Sequence, residues 1–208
     1  MNNLIKRILS SIILLPLICY FILQGSFLLL FFVILCFFVS CYEWHLMTKN
    51  IYHKISGFIF LIISFGTFYK ISFEIYEVFF VILICVSTDI GGYIFGKILK
   101  GPKLTKISPN KTYAGTIGGY FLSMINFFVV TNFFYQPLSY FKFFLIIILI
   151  STVSQIGDII VSYFKRLSKI KNTGRLIPGH GGLLDRIDGM IFSFPIYYLV
   201  SLTGYLNI

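Results

Sequence analysis

Four aspartates in this chain stand where a carboxylate is costly to keep. Asp89 lies in Val86-Ser87-Thr88-Asp89-Ile90-Gly91-Gly92-Tyr93 and Asp158 in Gln155-Ile156-Gly157-Asp158, while Asp185 and Asp188 are three residues apart in Leu184-Asp185-Arg186-Ile187-Asp188. All four border or interrupt strongly apolar runs. An ionised carboxylate in hydrocarbon costs about 2.5–3.5 kcal/mol on insertion scales, so it normally has a functional partner. Asp89 precedes Lys97 by eight residues and Asp158 precedes Lys165 by seven, which sets them about 12 Å and about 10 Å inside the ends of their helices. Asp185 and Asp188 share one helix face through their i, i+3 spacing. Oxygen ligands gathered at a similar depth, beside many cations, suit Mg2+ held jointly by carboxylates and substrate phosphates. The competing reading pairs each aspartate with a Lys or Arg of a neighbouring helix, as Asp185 beside Arg186 would allow. Glu74 and Glu77 fall at span ends, where a solvated acid costs little. Glu43, followed by Trp44, is open to either reading.

Phosphate chemistry is also suggested by Pro178-Gly179-His180-Gly181-Gly182, which leads into the aspartate pair. Glycines ahead of a helix start let backbone N–H groups approach an anion. Arg175 and Arg186 flank this loop, and Lys165 and Arg166 precede it. His180 is weighed as a loop residue bonded to backbone against a direct catalytic role. A second loop, Lys106-Ile107-Ser108-Pro109-Asn110-Lys111-Thr112, carries a Ser-Pro-Asn turn signal ahead of a helix, with Lys111 as a candidate phosphate contact. Asn110-Lys111-Thr112 also fits a glycosylation acceptor, but the charge count below puts it on the cytoplasmic side.

These residues must be held by membrane helices. Of the 208 residues 58% are hydrophobic and only 12% charged, with a mean hydropathy of +0.91. Soluble domains carry about 25% charged residues, and no water-soluble globule could cover so much apolar mass. Spans need about 20 apolar residues. Seven candidates are expected, near 8–23, 26–43, 55–70, 75–96, 114–134, 142–164 and 186–206, the third short. The fold class is therefore all-α, a polytopic transmembrane helical bundle of about seven spans. With a cytoplasmic N-terminus, 15 of the 17 Lys and Arg fall in cytoplasmic segments, leaving Lys70 and Lys142 opposite. That is the positive-inside bias, and it accounts for the net charge of +10 without nucleic acid, for which the chain offers no soluble basic domain. Residues 1–23 resemble a signal peptide but lack a small-residue cleavage site and read as a retained helix. Cys19, Cys36, Cys41 and Cys85 lie in apolar runs without CxxC spacing, as small buried hydrophobes. No internal repeat is visible. The division expected is 1–72 as scaffold helices and 73–208 as a catalytic region with cytoplasmic loops 97–113 and 165–185.

The run Ser162-Tyr163-Phe164-Lys165-Arg166, then Lys171, Gly174, and Ile177-Pro178-Gly179-His180-Gly181-Gly182-Leu183-Leu184-Asp185-Arg186-Ile187-Asp188 closely resembles the pattern of the phosphatidate cytidylyltransferase (CDP-diacylglycerol synthase) family. Asp89-Ile90-Gly91-Gly92-Tyr93-Ile94-Phe95-Gly96-Lys97, Ser108-Pro109-Asn110-Lys111-Thr112 with Gly118-Gly119, and Gly157-Asp158 look like the same family, as do Arg7 to Pro16 and Glu43-Trp44. The resemblance implies CMP transfer from CTP to phosphatidate, releasing pyrophosphate, in a multi-pass protein of the bacterial inner membrane. It implies Mg2+ on Asp158, Asp185 and Asp188, and leaves open a second, monovalent cation and a homodimer. It assigns catalysis to Asp158, Asp185, Asp188, Lys165, Arg186 and His180, and substrate binding to Asp89, Ser108, Lys111, Thr112, Arg166, Arg175, Gly181 and Gly182. Two departures stand out. Asn172 replaces the Asp usual after Lys171, and the stretch between Glu43 and Asp89 is short of spans. Two alternatives are a related CTP-dependent kinase of polyprenol or similar lipid alcohols, and an ion-coupled transporter; the missing repeat and one-sided acids argue against the transporter.

Overall fold

The computed structural model describes residues 16–105, 107–133, 139–174, 176 and 181–204. Long apolar segments become helices because hydrocarbon offers no hydrogen-bond partners, so each backbone must satisfy itself. Residues 16–24 are helical. They are followed by α1 (Ser26–Met47), α2 (Ile51–Ile71), α3 (Ile75–Leu99), α4 (Tyr113–Phe133), α5 (Tyr140–Leu167), the single turn α6 (Leu184–Ile187) and α7 (Met190–Leu202). Among the described residues no strand forms; isolated bridge positions occur, among them the antiparallel pair Lys103 and Thr112. Five of these helices are long and apolar enough to cross a membrane. Bulky apolar side chains such as Phe27, Phe31, Ile62 and Phe121 stand exposed on them, which water would penalise and lipid accepts. The chain is an all-helical, multi-pass membrane protein.

Five expected spans match α1 to α5, and the short third one is a full helix of 21 residues. Half of the expected first span, residues 8–15, lies outside the described residues, and the other half is helical. The expected last span, 186–206, is built differently. Its hydrogen-bond ladder breaks between α6 and the 13-residue α7, although Leu183, Asp188 and Gly189 keep right-handed helical dihedrals. Its last residues, 205–208, are outside the described set.

Two compact units emerge, and neither is continuous in sequence: Met1–Ile75 with Phe164–Asp188, and Tyr76–Tyr163 with Gly189–Ile208. In the first, α1 packs on α2. Trp44 lies so close to Gly57 that no side chain would fit there, and its Nε1 donates to the His53 carbonyl at 3.0 Å. Phe164 stacks edge-on against Trp44 at 4.9 Å and lies 5.3 Å from His53. Ser168 donates from Oγ to the Met47 carbonyl. These contacts fix the α1–α2 corner against the segment that follows Phe164.

In the second unit α3 meets α4 through glycine. A Cβ at Gly91 would run into the Gly118 carbonyl, one at Gly118 would strike Phe95, and one at Gly115 would lie 2.7 Å from the Gly92 carbonyl oxygen. Close backbone approach of this kind is how membrane helices gain packing energy without a hydrophobic drive. Buried hydroxyls find partners across the helices. Thr88 Oγ1 donates to Ser151 Oγ at 2.9 Å, Tyr120 and Thr152 share a hydrogen bond of 2.8 Å, and Cys85 Sγ lies 3.3 Å from Ser193 Oγ.

Candidate active site

Asp158, Ser162 and Lys165 recur on α5 at i, i+4 and i+7, a spacing that places them on one face. Beyond Leu167 the chain turns through Lys169, whose φ of 57° puts it in the left-handed region. The Arg166 guanidinium donates to the Ile170 carbonyl at 3.1 Å and so closes the helix end. The returning segment delivers Thr173 to the glycine loop.

In the first unit Asp185 accepts from three donors. Its Oδ1 accepts from Lys165 Nζ at 2.9 Å. Its Oδ2 accepts from the Thr173 amide at 2.8 Å and the Gly182 amide at 3.1 Å. Lys165 Nζ lies a further 3.8 Å from Asp188 Oδ2, so one ammonium serves both aspartates. Lys165 and Asp188 are each 8% exposed. Burying charge is tolerable only where pairing and hydrogen bonds replace water, and both are present. Gly181 allows the turn, with φ of 92°, and a Cβ there would sit 2.6 Å from Asp185 Oδ2.

The same turn contains an acid whose role sequence reasoning had left open. Glu43, at 1% exposure on α1, accepts from the Leu183 amide on Oε1 at 2.9 Å. Its Oε2 accepts from the Leu184 amide at 2.9 Å and from Thr173 Oγ1 at 2.8 Å. The signal was present, since an acid next to Trp44 in an apolar run is as anomalous as the aspartates. Its place near a span end concealed it.

The second unit contains another lysine–aspartate pair. The loop before α4 folds back on itself: Leu104 donates to the Lys111 carbonyl at 2.8 Å, and the Lys111 amide closes a turn onto the Ser108 carbonyl at 3.0 Å. This is the expected Ser-Pro-Asn turn. Thr112 Oγ1 accepts from the Gly115 amide at 3.1 Å and so caps α4. Held this way, Lys111 Nζ lies 2.5 Å from Asp158 Oδ2, a charge contact poorly aligned as a hydrogen bond. Asp158 Oδ1 accepts from Ser162 at 3.3 Å.

The remaining candidates divide. Ser108 belongs to the Lys111 turn, Gly181 and Gly182 wrap Asp185, and Arg166 caps α5. Asp89 and Arg186 are exposed. Arg175 and His180 lie outside the described residues. Among the described residues no three His, Cys, Asp or Glu side chains form a ready metal cage. The donors that exist are hard carboxylate oxygens, and Asp158 and Asp185 keep acceptor capacity, since a carboxylate offers about four lone-pair sites. That suits Mg2+, which takes one or two carboxylates and completes its shell with water and phosphate.

Residues 50–203 match the cytidylyltransferase family. The chain belongs to that family. The match takes in both lysine–aspartate pairs and the glycine loop, and begins after Glu43. A cytidylyltransferase-family enzyme is a nucleotidyltransferase. Relatives support the same placement over the whole chain. It is 33% identical to the phosphatidate cytidylyltransferase of Rickettsia typhi, covering 97% of this chain and 93% of that one. It is 35% identical to that of Rickettsia bellii, covering 96% and 91%. A shorter stretch, 58% of this chain and 44% of the relative, is 41% identical to the phosphatidate cytidylyltransferase of Brucella suis.

Proposed function

We propose that this protein transfers CMP from CTP to phosphatidate, forming CDP-diacylglycerol and pyrophosphate. The observation that carries the reading is the buried Lys165–Asp185–Asp188 cluster at the glycine loop, within the family match of a multi-pass membrane protein. A phosphate oxygen of phosphatidate attacks the α-phosphorus of CTP. The new P–O bond forms as the bond between the α-phosphorus and the bridging oxygen breaks, and pyrophosphate leaves. Such transfers rely on positioning and charge neutralisation more than on covalent help from protein.

Lys111 and Lys165 neutralise phosphate oxygens, and Arg166, Arg175 and Arg186 supply further positive charge around the loop. Asp185 and Asp188 at the glycine loop, and Asp158 beside Lys111, are the carboxylates proposed as Mg2+ ligands; the ion, when bound, would polarise phosphates and disperse their charge. Each of these lysines is held by an aspartate partner, Lys111 by Asp158 and Lys165 by Asp185. Gly181 and Gly182, packed against the Asp185 and Glu43 carboxylates, shape the loop beside which phosphate is proposed to bind. Ser108 and Thr112, from the loop before α4, and Asp89, on α3, are assigned to substrate binding. In this reading phosphatidate reaches the site from the bilayer and CTP from the cytosol, the enzyme belongs to the bacterial inner membrane, and loops 97–113 and 165–185 are cytoplasmic.

The test supplies CTP labelled at the α- or the γ-phosphate, with phosphatidate and Mg2+, to membranes containing the enzyme. Label from the α-position in a diacylglycerol lipid is expected. Label from the γ-position in a lipid product would instead identify a kinase, and no labelled lipid from either would remove the proposal.

A further inference from the structure

We propose that Glu43 is a positioning residue of this site, fixing the glycine loop and, through Thr173, the carboxylate of Asp185; the inference rests on the transferase reading above. Glu43 belongs to α1, far in sequence from the loop, and precedes the stretch matched to the family. Its three donors are the Leu183 amide, the Leu184 amide and the Thr173 hydroxyl, at 2.9, 2.9 and 2.8 Å. Thr173 joins the two acids: its hydroxyl donates to Glu43 and its amide donates to Asp185 at 2.8 Å. Gly182 touches both as well. Its amide donates to Asp185 at 3.1 Å, and a Cβ on it would run into the Glu43 carboxylate. A Cβ at Gly174 would lie 2.6 Å from Glu43 Oε1. Backbone therefore closes round the Glu43 carboxylate on both sides of the loop.

This arrangement does more than bury an acid. Three consecutive amides, Gly182 to Leu184, and the Thr173 segment are bonded to two carboxylates that share one threonine. Asp185 also fixes Lys165, so Glu43 orders a charge pair that it does not touch. A glutamine at 43 would present an NH2 group to donors that need an acceptor, leaving a buried N–H or O–H unpaired. Removing the Thr173 hydroxyl alone would cut the link while leaving its amide on Asp185.

The experiment uses the full chain in lipid nanodiscs and measures two quantities. The first is amide hydrogen exchange of the segment 172–186, with α4 peptides as internal reference. Exchange about tenfold faster in Glu43→Gln and in Thr173→Val is expected, with protection regained in Thr173→Ser and α4 unchanged. The second is CMP transfer, where loss of such supporting hydrogen bonds costs about 10–100-fold in kcat, again restored by Thr173→Ser. Exchange in the loop as slow in both variants as in the wild type, or kcat within twofold of it, overturns the role of Glu43. Wild-type protein that transfers no CMP yet shows the exchange pattern refutes the transferase reading and leaves the positioning role standing.

Discussion

Asp185 receives three donors, one ammonium and two amides, and is the residue on which the site's geometry converges. Asp185→Ala should lower CMP transfer by about 100-fold or more, the scale expected when a fixed charge-stabilising group is lost. The amount of membrane-inserted protein should stay at the wild-type level; full activity in the inserted variant would refute the role. Asn172 gives the opposite expectation. Its side chain lies against Gly181, 3.2 Å from where a Cβ would be, yet the residue is exposed. A carboxylate there keeps its water, so Asn172→Asp should change the rate by no more than about threefold, as for other solvated surface charges. A large gain in the same CTP assay would show that the acid usual in the family matters and that this chain works below its capacity.

At the scale of elements, two glycines one residue apart on α3 have opposite surroundings. At Gly91 a methyl group meets the backbone of α4, whereas at Gly92 the nearest atom is the Gly115 carbonyl oxygen at 3.8 Å. Gly91→Ala should therefore destabilise the protein by about 1–3 kcal/mol through overpacking. Gly92→Ala should be neutral or stabilising by up to about 1 kcal/mol, because alanine loses less backbone freedom in a helix. Thermal unfolding in detergent would compare the two, and equal midpoints would contradict the close approach of α3 to α4. The same logic explains the glycines of the 181–182 turn. They are small because carboxylates occupy the space a side chain would take.

The whole molecule is arranged by the bilayer. On the lysine and arginine count the loop before α4 is expected on the cytoplasmic side and the turn between α2 and α3 on the outside. In a chain whose four cysteines are replaced, Lys103→Cys should react with a membrane-impermeant thiol reagent in inverted vesicles and Glu74→Cys in intact cells. Reversed labelling would invert the topology and put the proposed site on the wrong side for CTP.

Most of the architecture was legible without coordinates, because length, apolar content and charge asymmetry act locally: each span must satisfy its own backbone wherever it lies. The identities of Asp158, Asp185, Asp188, Lys111 and Lys165 were legible for a related reason, since buried charge is conspicuous against an apolar background. Their pairing was not. That Lys111 faces Asp158, that Lys165 serves both Asp185 and Asp188, and that Glu43 holds the glycine loop from a helix some 140 residues away depend on which side chains the fold brings within hydrogen-bond reach. Composition and periodicity specify what each segment is. Only the packed tertiary structure, where contacts form between residues remote in sequence, decides which partner each charge receives.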